Sequence, residues 1–156
     1  MLYAVLKLLH VLAIVFWVGG MAFAHVCLRP SVTVLPPPER LRLLHAVMQR
    51  FFRGVLVAAL LALVTGLWMI GRVAKESVQA GVNFAMPLDW TLMGALGILM
   101  IAIFGHIRFA LFKRLSRAVA ASDWPAAGAA MASIRQWVLV NLVIGVAIIA
   151  IALLLT

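Results

Sequence analysis

Few residue types in this chain can do chemistry: four histidines (His10, His25, His45 and His106), eight methionines and one cysteine, Cys27. Two of the histidines share a stripe with Lys7, Ile14, Trp17 and Met21. Steps of three or four residues keep these side chains within a narrow arc of a helix. The remaining faces of that segment are Leu, Val, Ala and Ile. Ionisable groups inside a bilayer are costly and by default point to function, so the stripe is expected to turn away from lipid. Neutral imidazole is the commonest ligand for transition metals and an axial ligand for haem iron. Imidazole combined with thioether suits Cu(I).

These residues sit in an unusual composition. The chain has 156 residues, 67% hydrophobic and 11% charged, whereas soluble domains are nearer half apolar and a quarter charged. Four apolar runs are long enough to cross a bilayer as helices, residues 2–28, 51–70, 90–112 and 136–155, since about 20 residues suffice at 1.5 Å rise. Backbone groups in hydrocarbon must bond internally, so each run is expected to be helical. The first run is too long for a signal-peptide core, although Ala22-Phe23-Ala24 mimics a cleavage site, and is read as a true span. The expected fold is a single-domain, all-α integral membrane protein over residues 1–156, an up-down-up-down four-helix bundle with cytoplasmic helical extensions.

The net charge is +9. The basic residues are divided between separate loops with no accompanying motif, so nucleic-acid binding is not expected; the bilayer and its anionic lipid are the expected partners. Arg29, Arg40, Arg42, Arg50 and Arg53 flank the first loop, and Arg108, Lys113, Arg114, Arg117 and Arg135 flank the third. The other side holds only Lys7, Arg72 and Lys75. In a bacterial-type inner membrane the positive-inside rule then puts loops one and three in the cytoplasm and both termini outside.

Local signals refine the elements. Arg29-Pro30 should stop the first helix, and a new helix should start near Pro38 and run as an amphipathic segment into the second span. That span should end at Gly71-Arg72, and the third should leave the membrane near Arg108. Gly94, Ala95, Gly97, Ala102 and Gly105 should let other helices approach the third span closely. Ser122-Asp123-Trp124-Pro125 reads as the start of a helix whose Ala-rich run feeds the fourth span.

With this topology His25, His45 and His106 converge towards the cytoplasmic end from three helices, while His10 stands in the outer half. One arrangement is a b-type haem between His25 and His106, with small residues of the third helix making room and Arg108 or Arg53 pairing with the propionates. A second is a soft-metal site for copper from Met21, His25, His45, Met48 and Cys27. The plainer alternative makes each histidine a buried hydrogen-bonding group and each methionine packing. His10 would find a partner in Lys7, a methionine or an external ligand. Asn141 and Thr65 are expected to bond between helices, and Trp17 to pack in the bundle. The four acidic residues lie in loops or at span ends, against a carboxylate-driven pump.

Several of these residues resemble known families. Leu8-Leu9-His10-Val11-Leu12, Trp17-Val18-Gly19-Gly20 and Leu28-Arg29-Pro30 are similar to the first helix of the copper-resistance D (CopD) family. Arg50-Phe51-Phe52-Arg53 through Thr65-Gly66-Leu67, and Ile134-Arg135 through Gly145, resemble its next and last helices. Lys7-Leu8-Leu9-His10, Phe16-Trp17 and Gly105-His106 also resemble HemJ-type protoporphyrinogen oxidases. The resemblance implies a four-helix core and either copper handling or haem-linked porphyrinogen oxidation. The lysine both groups tend to carry early in the third helix is replaced by Met93-Gly94-Ala95, against HemJ activity, and the acidic residue common in the CopD last helix is Asn141. His106 leans the reading towards haem. The leading expectation is a haem-dependent electron-transfer protein, acting on a lipophilic donor such as a quinol or a porphyrin-like substrate, with His25 and His106 as axial ligands. Copper transport or tolerance is the alternative. A non-catalytic membrane subunit, packed against a partner or a second copy, is a third.

Overall fold

The computed structural model describes residues 1–154; position 155, the expected end of the fourth span, lies outside the described residues. The chain forms four long helices, α1 (Leu2–Val34), α2 (Pro37–Gln79), α3 (Leu88–Ala120) and α4 (Trp124–Leu154), each long and apolar enough to cross a membrane. Among the described residues there is no strand. The lipid-facing surface is apolar, with Leu8, Leu12, Val57, Leu60, Ile98 and Val143 exposed; in water such a surface would be an aggregation hazard, and in a bilayer it is the contact with the acyl chains. The protein is a multi-pass membrane protein in contact with the bilayer.

Sequential neighbours pack most broadly, α1 on α2 and α3 on α4. The core between the pairs is aromatic. Trp17 and Phe52 each meet the Phe104 ring edge-on, at 5.8 and 5.9 Å between centroids, and Phe52 meets Phe112 at 5.4 Å. Rings in this geometry set their positive edges against a negative face. Close approach falls where a glycine faces a side chain. A Cβ on Gly20 would collide with the Phe51 ring, one on Gly54 would stand 2.6 Å from Phe16, and one on Gly145 would stand 2.8 Å from Val18. Gly94, Gly97 and Gly105 have nothing within 4 Å of the place a Cβ would occupy. The expectation that third-helix glycines serve close packing is therefore corrected: the glycines that do so lie in α1, α2 and α4.

The helices also run further than the charge pattern implies. Arg29-Pro30 does not end α1. The stretch Ala24–Leu28 is a π turn in which the Arg29 N–H bonds the Ala24 carbonyl, five residues back, and helix continues to Val34. Proline lacks an N–H and its ring crowds the carbonyl four residues earlier, so a widened turn ahead of Pro30 lets the chain keep winding. Beyond it, the Ser31 hydroxyl donates to the Cys27 carbonyl at 2.7 Å. Likewise α2 does not stop at Gly71-Arg72 but reaches Gln79, supported by an Arg72–Glu76 ion pair at 2.9 Å one turn apart. α3 does not leave helix near Arg108; it passes through a second π turn, Ile107–Leu111, and ends at Ala120. As expected, α2 starts at the prolines and α4 starts at Asp123, whose Oδ1 accepts from the Ala126 N–H at 3.1 Å.

The result is a bundle longer than a bilayer is thick. The 43 residues of α2 span about 65 Å at 1.5 Å per residue. At one end, hereafter the basic end, the first part of α2, the last part of α3 and the first part of α4 form a helical layer. It is fastened by Arg42 over the Trp124 ring at 4.8 Å and by the buried Leu41, Leu115 and Ala127.

Candidate functional site

The two histidines of the α1 stripe have different surroundings. His10 is half-buried against α2. Its Nδ1 lies 2.9 Å from the Ala62 carbonyl and 3.0 Å from Thr65 Oγ1. The Thr65 hydroxyl donates to the Leu61 carbonyl at 2.6 Å, so Nδ1 carries the proton and donates to both oxygens. Gly66 makes room, since a Cβ there would stand 3.3 Å from His10 Cε1. The Thr65-Gly66 pair is thus the receptor for His10. The partner lies on α2, not at Lys7, which is exposed.

His45 is likewise occupied. Its ring stacks on Phe112 at 5.1 Å with planes 4° apart, and its Nε2 is 2.9 Å from Ser116 Oγ. The Ser116 hydroxyl donates to the Phe112 carbonyl, leaving it to accept from His45. This ties α2 to α3. His106 is exposed and meets Trp137 of α4 edge-on at 5.4 Å.

His25 alone borders a cavity without an assigned bond. It lies within the α1 π turn, and π turns recur at functional sites. The cavity, about 50 Å³, lies between α1, α2 and α4 at the basic end; its walls are Ala24, His25, Arg29, Leu44, Met48, Met131, Ile134, Arg135 and Val138. His25 and Met48 were both expected in a soft-metal site, and they share this cavity. Met131 joins them, a residue that the sequence offered no reason to choose: it sits in an Ala-rich run whose periodicity marks no face. Met21 is buried one turn along α1 and borders a smaller neighbouring cavity with Trp17, Phe104, Val138 and Asn141. Cys27 is exposed and outside both.

The sites expected for haem are not brought together. The cavity bordered by His25 does not include His106, whose ring lies on Trp137. Two axial imidazoles must face each other across a single porphyrin slot. Arg53 is exposed, and the Arg108 guanidinium lies over Phe109 and Phe112, at 5.7 and 5.4 Å. The residues present therefore do not fit a haem held between His25 and His106.

Two expected structural roles are met. Trp17 is buried in the aromatic core. Asn141 is 1% exposed and its Nδ2 donates to the Met100 carbonyl at 3.3 Å, joining α4 to α3. Its Oδ1 has no hydrogen-bond partner.

Among the described residues no group of three or more His, Cys, Asp or Glu is placed to hold a metal. One imidazole and two thioethers are what the basic-end cavity offers instead, a neutral set of the kind that prefers Cu(I). A family model described as Copper resistance protein D matches residues 45–155, which covers α2 beyond its first turns, α3 and α4. No curated protein and no solved structure matches the chain.

Proposed function

Because this chain belongs to the copper resistance protein D family, we propose that it handles Cu(I) as cargo at the basic-end cavity, with His25, Met48 and Met131 as ligands. The observation that carries the reading is the meeting of these three side chains, one from each of α1, α2 and α4, around one cavity. A ring nitrogen and two thioether sulfurs are soft, uncharged ligands, suited to a monovalent ion that must be released again. Arg29 and Arg135 on the same walls oppose a lone cation, so the loaded site works with an anion beside the metal. In a bacterial-type inner membrane the basic end is cytoplasmic and both termini are outside, which puts this site where copper is collected from or delivered to the cytoplasm. Met21, a turn further along α1 beside Asn141, is the next soft ligand towards the centre of the bundle.

The test is copper content of the purified chain after loading with Cu(I) under reducing conditions, with X-ray absorption to count sulfur and nitrogen neighbours. The expected result is one copper with mixed S/N ligation, lost in His25→Ala and in Met48→Leu/Met131→Leu. Retention of copper in both variants overturns the assignment. A Soret band in protein from haem-replete cells that disappears in His25→Ala would replace it with the haem reading.

A further inference from the structure

The same cavity holds two guanidiniums with nothing to bind. Arg29 and Arg135 are both half-buried and border it from α1 and α4. Neither has an ion pair, hydrogen bond or aromatic face among the described residues. Other arginines of this protein are engaged: Arg72 with Glu76, Arg42 with Trp124, Arg108 with Phe109 and Phe112. No carboxylate is at hand, for Glu39 is exposed, Asp123 caps α4, and Glu76 is paired with Arg72. A half-buried guanidinium keeps its charge and has five donors to satisfy. Two of them converging on one small cavity call for an oxyanion that can accept from both, and phosphate geometry matches the guanidinium fork.

We propose that Arg29 and Arg135 bind the phosphate of an anionic phospholipid headgroup. The source is lipid because the cavity lies at the basic end of four membrane-crossing helices, where basic pockets between helices take anionic headgroups. Leu44, Ile134 and Val138 on its walls provide the apolar continuation that acyl chains require. Its size, about 50 Å³, suits a headgroup oxyanion, with the chains outside along the bundle. The proposal rests on the cavity and its arginines alone and holds without copper.

The test uses the full chain in neutral detergent, stripped of metal by a chelator, with phosphatidylglycerol, phosphatidylcholine or inorganic phosphate added. Retained lipid is read by native mass spectrometry and protection by the shift in Tm. Phosphatidylglycerol is expected to stay bound and raise Tm where phosphatidylcholine does not. Arg29→Gln/Arg135→Gln should lower its retention at least tenfold. The charge-matched control Arg50→Gln/Arg53→Gln, at exposed positions of the same end, should keep it. Unchanged retention in the first variant overturns the proposal, as does an equal loss in the control, which would indicate general surface charge. Protection by inorganic phosphate equal to that by phosphatidylglycerol overturns the lipid assignment in favour of a free oxyanion. Because the protein is metal-free throughout, loss of copper binding in a separate assay leaves this result standing.

Discussion

His10 and His25 lie on one stripe of one helix, yet one is closed off and the other is open. His10 is received by α2, with its proton shared between the Ala62 carbonyl and Thr65 and a glycine beside it. His25 emerges from a widened turn into a cavity with two thioethers and two unpartnered arginines. The first arrangement joins helices; the second leaves a ligand unused. An ionisable residue within a membrane helix is thus not a site merely because it is costly there. What separates the two is whether the neighbouring helix supplies a bond.

That contrast can be broken by substitution. The largest expected effect is at the open end: His25→Ala, or Met48→Leu with Met131→Leu, should weaken copper retention about a hundredfold, roughly 2.7 kcal/mol of affinity. Unfolding stability should be little changed, since Leu replaces Met with similar volume. Next, His10→Ala should leave copper retention intact but cost about 1–2 kcal/mol in equilibrium unfolding from mixed micelles, through the lost bond and the space left behind. Ser116→Ala should cost about 1 kcal/mol in the same assay by leaving the half-buried His45 N–H without its acceptor. Smallest, Thr65→Val should cost about 0.6 kcal/mol, the usual size of an interhelical hydrogen bond in a membrane, and a double-mutant cycle with His10→Ala should return coupling of that order. If His10→Ala abolishes copper retention while His25→Ala spares it, the roles of the two ends are reversed.

The four spans, the basic end and the helical extension before the second span were legible in the sequence, because hydropathy and charge act over whole segments. The joining roles of Thr65 and Asn141 were legible too, since a lone polar group at depth has few alternatives. What was not legible is which way a helix faces when it is apolar all round. Nothing in the residue pattern of α3 distinguishes a face for Gly94, Gly97 and Gly105, and the expectation put them at contacts they do not make. His106 was assigned inward for the same reason and lies outside, on Trp137. Met131 was missed because only tertiary packing brings α4 over His25. The two π turns left no mark in hydropathy, since widening one turn changes register without changing composition.

The π turn at Ala24–Leu28 amounts to one residue inserted into a regular helix. A deletion within it would restore the ordinary winding and rotate everything beyond by about 100°. Arg29 would then swing off the cavity wall while the chain kept its length of span, its hydropathy and its charge. Single-residue gaps at this place therefore distinguish chains that share the bundle from chains that share the pocket, a difference that overall sequence identity does not register.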